Sequence, residues 1–404
     1  MNILNITINT VQFSPYTVHF ALAGGGTDAL ADLLRTPGAS RFVTGAVVPY
    51  SSQAMERFLG CMPERFCCAQ TAWKMAQRCF DIQNVVSDAE ADRSRPRLGV
   101  ACTASLGTNR LKKGACRAYI ALQTESDVYT FTVRFVTQTE EAAHAGAFER
   151  FATVRAIQER IVSDVILNAL NYVSHAPDAD FQPEYTLSDD ELPEFSVEIN
   201  RRSIPASWNE LISGKISALV ENQNAAIGTT PAAILSGSFN PIHEGHKKMR
   251  EIAQKILNRP VYYELSVLNA DKAPVSLGEL AWRIEQITAC DPAAPILLTR
   301  SPYFIDKARL FPGSAFVLGA DTVERLNDVA KYYQNEEQFN AVMAEFARLN
   351  TRFLVFGRPD RNNAFIGLKN LGLSGMLQSL CREIPENEFS CTISSTQIRE
   401  QMPR

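Results

Sequence analysis

The sequence predicts an α/β protein of two globular units, the second organised on a doubly wound, mostly parallel sheet. Short apolar runs alternate with segments of helical period through both halves of the chain, as strands joined by helices do. An acidic, turn-rich stretch with Asp178-Ala179-Asp180 and Ser188-Asp189-Asp190-Glu191 lies between the halves. At 404 residues the chain is also long enough for two to three domains, each with its own core. The expected boundaries are 1–175 for the first unit, 176–230 for a linker with one short helix at 208–220, and 231–404 for the second unit.

In the first unit, Val18-His19-Phe20-Ala21-Leu22 predicts the opening strand, and Ala23-Gly24-Gly25-Gly26-Thr27-Asp28 a glycine-rich turn after it. Leu30, Leu33 and Leu34 mark a helix that Thr36-Pro37-Gly38-Ala39-Ser40 ends. Residues 42–48 predict a second strand stopped by Pro49, 55–59 and 71–80 helices, and 98–102 a third strand leading into a loop. Residues 117–122 and 128–135 predict a hairpin, the second run alternating cleanly. One long helix over 142–173 carries Val154, Ile157, Ile161, Val165 and Leu170 on a stripe.

In the second unit, Ala232-Ala233-Ile234-Leu235 predicts a buried strand, and Met249, Ile252, Ala253 and Ile256 a helix after it. Further strands are predicted at 261–267, 295–299, 314–319 and 352–357, with a helix at 280–289. Strands with crossover helices make a doubly wound sheet, in which ligands sit beyond the carboxyl ends of the strands.

Composition narrows the function classes. With 46% apolar and 21% charged residues the chain is ordinary for a soluble globular protein, which argues against a disordered protein or a fibre. A net charge of −4 gives no basic footprint of a nucleic-acid binder. No apolar run approaches the roughly 18 residues of a membrane span. Residues 1–10 lack the basic and apolar regions of a signal peptide. The expectation is a cytoplasmic protein with neither nucleic acid nor membrane as partner, assembled as a homo-oligomer. The nine cysteines include no C-x-x-C, and Cys67-Cys68 are adjacent, so reduced, mostly buried thiols and no metal-ligand set are expected.

The chemistry concentrates in Gly237-Ser238-Phe239-Asn240-Pro241-Ile242-His243-Glu244-Gly245-His246, a strand-to-helix turn holding two of the chain's five histidines. Gly237, without a Cβ, lets backbone approach a ligand. Free N–H groups at the helix start favour phosphate. His243 and His246, three apart, can both donate to one phosphate, and Gly245 between them leaves room for a flat base or ribose. The bland alternative is a β-turn with two surface or capping histidines. Ser394-Ser395-Thr396 precedes another helical turn as an N-cap signature, and its bland alternative is a capped helix alone.

The first stretch resembles the signature of the (H/T)xGH nucleotidyltransferase superfamily, in the form of the nicotinamide and nicotinate mononucleotide adenylyltransferases. Ile393-Ser394-Ser395-Thr396-Gln397-Ile398-Arg399 resembles the superfamily's second signature. The resemblance implies a Rossmann-like sheet and adenylyl transfer from ATP to a pyridine mononucleotide, with Mg2+ held mainly by the ATP phosphates. It implies His243 and His246 as catalytic residues. Nucleotide binding is carried over to Gly237, Ser238, Phe239, Asn240, Gly245, Lys247, Ser394, Ser395, Thr396 and Arg399, and to Gly319 and Asp321 of Leu318-Gly319-Ala320-Asp321-Thr322. Lys272, Tyr303 and Arg358 are implied on the substrate side. A cytidylyltransferase, another phosphate acceptor such as phosphopantetheine, and a non-catalytic nucleotide-binding scaffold stay open.

Residues 10–175 resemble the CinA C-terminal domain, whose active members are nicotinamide-nucleotide amidases. The likeness rests on Pro37-Gly38-Ala39-Ser40, Val47-Val48-Pro49-Tyr50-Ser51, the loop after Cys102, and Tyr119-Ile120-Ala121-Leu122. The family's turn carries a nucleophilic serine where Ala23 stands here. Alanine has neither nucleophile nor proton to give, so a unit without amidase activity is expected.

Overall fold

The computed structural model describes residues 2–86, 95–108, 114–136, 147–221, 233–269, 274–359 and 365–401. The chain divides into two compact units, Met1–Ala206 with Ser276–Ala281, and Ser207–Val275 with Trp282–Arg404.

The first unit runs α1 (Ile3–Phe13), β1 (Thr17–Ala23), α2 (Thr27–Arg35), β2 (Val43–Val47), α3 (Ser52–Leu59), α4 (Ala69–Val86), β3 (Arg97–Ser105), β4 (Arg117–Gln123), β5 (Asp127–Phe135), α5 (Ala147–His175) and β6 (Phe195–Ser203). Its sheet has the order β2-β1-β3-β4-β5-β6. β1 pairs in parallel with β2 and β3, and the ladder from β3 to β6 is antiparallel. Alternation decides which side chain meets which helix. Phe131 of β5 joins the core beneath α5 with Ile161, Val165 and Leu170. Its neighbour Thr130 points the other way and accepts a hydrogen bond from Trp73 Nε1 of α4 at 2.7 Å.

The second unit runs α6 (Ala206–Ser213), β7 (Ala218–Glu221), β8 (Ala233–Ser236), α7 (Glu244–Leu257), β9 (Val261–Ser266), α8 (Leu277–Cys290), β10 (Ile296–Thr299), α9 (Phe304–Leu310), β11 (Ala315–Gly319), α10 (Ala320–Leu326), α11 (Val329–Tyr332), α12 (Glu336–Arg348), β12 (Arg352–Phe356), β13 (Arg358–Pro359), β14 (Phe365–Ile366), α13 (Gly375–Leu380), β15 (Cys381–Ile384) and α14 (Ser395–Gln401). The main sheet has the order β15-β12-β11-β8-β9-β10-β7. All its pairings are parallel except that of β7 with β10. Strands buried on both faces read as unbroken apolar runs, as in Ala233-Ile234-Leu235 and Phe353-Leu354-Val355-Phe356. From β8 the chain winds outward to β10, then crosses back to β11 on the other side of β8. The crevice at that switch point opens beyond Ser236 and Gly319.

Three expectations differ from what is found. The predicted linker at 176–230 is in good part structured. β6 pairs with β5 along its whole length, and β7 forms an edge of the second sheet. The short helix ends at Ser213, where Gly214 takes a left-handed φ of 81° and stops it. Only Cys79 and Cys102 are buried among the nine cysteines, and none of the nine is paired.

Candidate active site

The loop after β8 is shaped from below. Phe239 adopts φ 44°, a left-handed conformation uncommon for a residue with a Cβ. That turn buries its ring edge-to-face against Tyr263, at 5.2 Å, and against His246, at 5.1 Å. A Cβ on Gly237 would lie 2.8 Å from the same ring, so only glycine fits above it. The Gly237 N–H donates to the Glu264 carbonyl of β9 at 3.1 Å, which pins the loop to the sheet.

α7 starts from this loop with His243 as its N-cap residue. His246 Nδ1 accepts from the His243 backbone N–H at 3.2 Å, satisfying a donor at the helix start. An accepting Nδ1 fixes the neutral ring as the Nε2–H tautomer, leaving Nε2–H to donate elsewhere. The two imidazoles lie 3.8 Å apart, centroid to centroid, tilted by 34°. Burial lowers the His243 pKa below the ordinary histidine value. Burial, and secondarily the neighbouring His243, push His246 down to about 3. Both rings are therefore neutral donors at physiological pH. His243 Nδ1 is buried and has no hydrogen-bond partner among the described residues. Gly245 is where it must be, because a Cβ there would stand 2.8 Å from Cys391 Sγ and 3.0 Å from the His243 ring.

The second motif is clasped onto this loop. Ser394 and Gln397 bond reciprocally, Gln397 N–H to Ser394 Oγ at 3.2 Å and Ser394 N–H to Gln397 Oε1 at 2.9 Å. Ser395 Oγ donates to the Pro241 carbonyl at 2.8 Å, and Arg399 donates to the Asn240 carbonyl and, at 3.2 Å, to Thr396 Oγ1. Two segments far apart in sequence thus become one wall.

A cleft of about 1060 Å3 opens here. Gly237, Ser238, His243, Gly245 and His246 line it from the loop, and Ser394, Ser395, Thr396 and Arg399 from the second motif. Gly319, Asp321, Tyr303 and Arg358 complete the predicted residues at its wall. Asp321 lies in the first turn of α10 and faces Arg358 at 3.8 Å. Phe239 lies beneath the cleft as a packing residue, and Asn240 contributes its carbonyl to the clasp. Lys247 does not line the cleft; it lies on α7 near Cys290, whose thiol its charge acts on. Lys272 lies outside the described residues.

Sequence reasoning missed the polar floor. Glu264 of β9 and Lys307 of α9 form a buried ion pair at 2.7 Å, and both line the cleft. The signal was a single carboxylate inside the apolar strand Val261-Tyr262-Tyr263-Glu264-Leu265, where an ionised side chain needs a partner.

In the first unit, β1 ends on Ala23 and the turn leads into α2. Thr27, the nearest hydroxyl, donates to Glu159 Oε1 of α5 at 2.9 Å. The same oxygen accepts the backbone N–H groups of Thr27, at 2.6 Å, and Asp28, at 3.4 Å. Arg155 donates to the carbonyls of Gly24 and Gly107 at 3.2 and 3.0 Å.

Residues 234–401 match the model of the cytidylyltransferase-like family. The match takes in both signature segments and every predicted site residue of the second unit, and it supports a nucleotidyltransferase. Beside this cytidylyltransferase-like domain, the N-terminal half is similar to solved CinA-type structures. The competence/damage inducible protein CihA of Agrobacterium tumefaciens is 23% identical over 42% of this chain and 95% of its own, with a TM-score of 0.27. A CinA superfamily protein of Enterobacter cloacae is 16% identical over 42% and 93%, with a TM-score of 0.28. The nicotinic acid mononucleotide adenylyltransferase of Plasmodium falciparum, solved with NaAD, is 15% identical over 42% of this chain and 83% of its own, with a TM-score of 0.28. No curated protein matches the chain. Among the described residues no helix is long and apolar enough to cross a membrane.

Proposed function

We propose that the second unit transfers an adenylyl group from ATP to nicotinamide or nicotinate mononucleotide, forming a pyridine dinucleotide and pyrophosphate. The observation that carries this reading is the pair of neutral, stacked histidines at the start of α7, joined by Ser395 and Arg399 to the second signature at one cleft. An oxygen of the mononucleotide's 5′-phosphate attacks the α-phosphorus of ATP. The bond from that phosphorus to the β-phosphate oxygen breaks, and pyrophosphate leaves with the electron pair. The attacking phosphate is already ionised at neutral pH, so no general base is needed. Catalysis is then positioning and charge stabilisation. Nε2–H of His246 and the His243 ring donate to oxygens on the α- and β-phosphates, where charge develops. Arg399 adds a fixed positive charge, and Asp321 suits the ribose hydroxyls as an acceptor.

Mg2+ is the proposed companion of ATP, neutralising charge on the phosphates. Mg2+ dehydrates reluctantly and pairs with phosphate oxygens, so phosphates and water would supply most of its ligands. The first unit is proposed as a module without amidase activity, because Ala23 offers no nucleophile and Thr27 is tied to Glu159. A cytidylyl donor is the second reading, favoured by the description of the matching family.

The test is pyrophosphate release by the full chain with Mg2+, ATP or CTP, and nicotinamide or nicotinate mononucleotide, with His246→Ala as control. Turnover with ATP and either mononucleotide, lost in the variant, supports the assignment. Turnover with CTP alone moves it to the second reading, and none with any pair removes it.

A further inference from the structure

Beneath the cleft lies a charged network that the adenylyl-transfer chemistry does not use. Lys307 Nζ donates to Glu264 Oε2 at 2.7 Å and to Ser236 Oγ at 3.4 Å. The other Glu264 oxygen accepts from Thr299 Oγ1 at 2.6 Å. These four residues sit at the carboxyl ends of β8, β9 and β10 and on α9, and the side chains of Lys307 and Glu264 are 6% and 1% exposed. Burying such a pair costs desolvation that an apolar pair of the same shape would not incur. Stability alone therefore does not account for it.

An ammonium has three N–H donors, and among the described residues Lys307 hydrogen-bonds through two of them, to Glu264 and Ser236, its remaining contact being the face of the Phe304 ring. Glu264 is itself held by Thr299, which fixes the carboxylate that the ammonium faces. The helix supplies the rest of the geometry. Tyr303 is the N-cap residue of α9, its carbonyl accepts the Lys307 backbone N–H at 3.3 Å, and both residues line the cleft. Tyr303 is 46% exposed and lines the cleft, so its flat ring is available to stack. A six-membered ring stacked there occupies the same cleft that Lys307 lines, with its ring substituent free to turn toward the ammonium. Phe304 walls that path, with Lys307 Nζ 4.9 Å from its ring centroid.

We propose that Lys307 is the residue that selects the acceptor, donating its third N–H to the oxygen of the pyridine 3-carboxamide or 3-carboxylate while Tyr303 stacks on the ring. This rests on the adenylyl-transfer reading. Glu264 is a positioning residue, setting the direction of the ammonium and offsetting its charge.

The experiment uses the full chain with Glu264→Gln/Lys307→Met, which removes both charges and leaves no buried ion unpaired, beside Lys307→Met alone. Melting temperature, KM for ATP and KM for each mononucleotide are measured, with ribose 5-phosphate as a competing ligand. The double variant is expected to melt cooperatively near the wild-type temperature and to keep the KM for ATP. KM for both mononucleotides should rise about tenfold or more, the fold-change of one charged hydrogen bond, with ribose 5-phosphate inhibition unchanged. Unchanged acceptor KM overturns the proposal. So does a parallel loss for ATP and acceptor, which marks a structural role, or a matching loss of ribose 5-phosphate inhibition, which places the lysine on the phosphate. Wild-type protein that turns over neither mononucleotide removes the adenylyl-transfer reading, and this proposal with it. Wild-type turnover with unaffected variants removes this proposal alone.

Discussion

His246 does two jobs in this geometry, and a pair of substitutions separates them. Its Nδ1 accepts from the His243 N–H, a structural task at the start of α7. Its remaining donor is Nε2–H, the proposed catalytic task. Asparagine places an oxygen near the position of Nδ1 and nothing near Nε2, so His246→Asn keeps the first and loses the second, whereas His246→Ala loses both. Losing the capping acceptor costs about 1 kcal/mol. Removing the ring from between Phe239 and His243 adds about 2 kcal/mol. His246→Ala should therefore lose about 3 kcal/mol in urea denaturation, and His246→Asn about 1 kcal/mol less than that. Both should lose about 10²- to 10³-fold in kcat, the cost of one donor aimed at developing charge. Pyrophosphate release under saturating ATP measures the second quantity. If His246→Asn restores kcat to within about tenfold of wild type while His246→Ala stays inactive, the histidine is a cap and the charge-stabilising role is refuted.

Other outcomes follow from the same structure. His246 titrates at about 3 in the folded chain, below its ordinary value, so the unfolded chain binds the extra proton as pH falls. Its contribution to stability is complete above the unfolded value near 6.5 and is lost toward pH 3, at up to about 1.4 kcal/mol per pH unit; denaturation at pH 7 and pH 5 should show this limb flattened in His246→Ala. Arg399→Met unfastens the second motif from the Asn240 carbonyl and should cost about 1–2 kcal/mol and weaken ATP binding, read by calorimetry. Gly245→Ala forces a Cβ against Cys391 and His243 and should cost about 1–3 kcal/mol in a thermal melt, with Cys391→Ala in the same chain recovering part of it. Glu159→Gln weakens the anion at the start of α2 and should lower the stability of the chain by about 1 kcal/mol in the same melt.

What could be read from the sequence was whatever a local pattern dictates. The strands β8 to β12 are apolar runs broken within only by Glu264 of β9, and a parallel strand buried on both faces leaves little else to write there. The two signatures were legible because each combines a glycine or a cap with charged or aromatic chemistry at fixed spacing. Helix α1 was not, since Ile3–Phe13 is rich in Asn, Thr and β-branched residues with weak helix propensity. It is held from outside, with Asn9 bonded to Asn171 and Ser14 to Ser174 of α5. β6 was hidden by the acidic run before it, although Phe195, Val197 and Ile199 alternate as a half-buried strand should. Lys307 was invisible for another reason. On a short helix it reads as a solvated charge, and its counter-ion is 43 residues away on a strand.

The turn after β1 carries a consequence for anything that would bind there. A helix start with free N–H groups ordinarily welcomes a phosphate from solution. Here the chain supplies its own anion, and Glu159 is tethered by the whole of α5 at hydrogen-bonding distance. A guest would have to outcompete a resident whose local concentration never dilutes, and millimolar phosphate is a poor rival for such a tethered group. The unit has exchanged a vacancy for a keystone, so its melting temperature should be indifferent to added phosphate or mononucleotide at that turn.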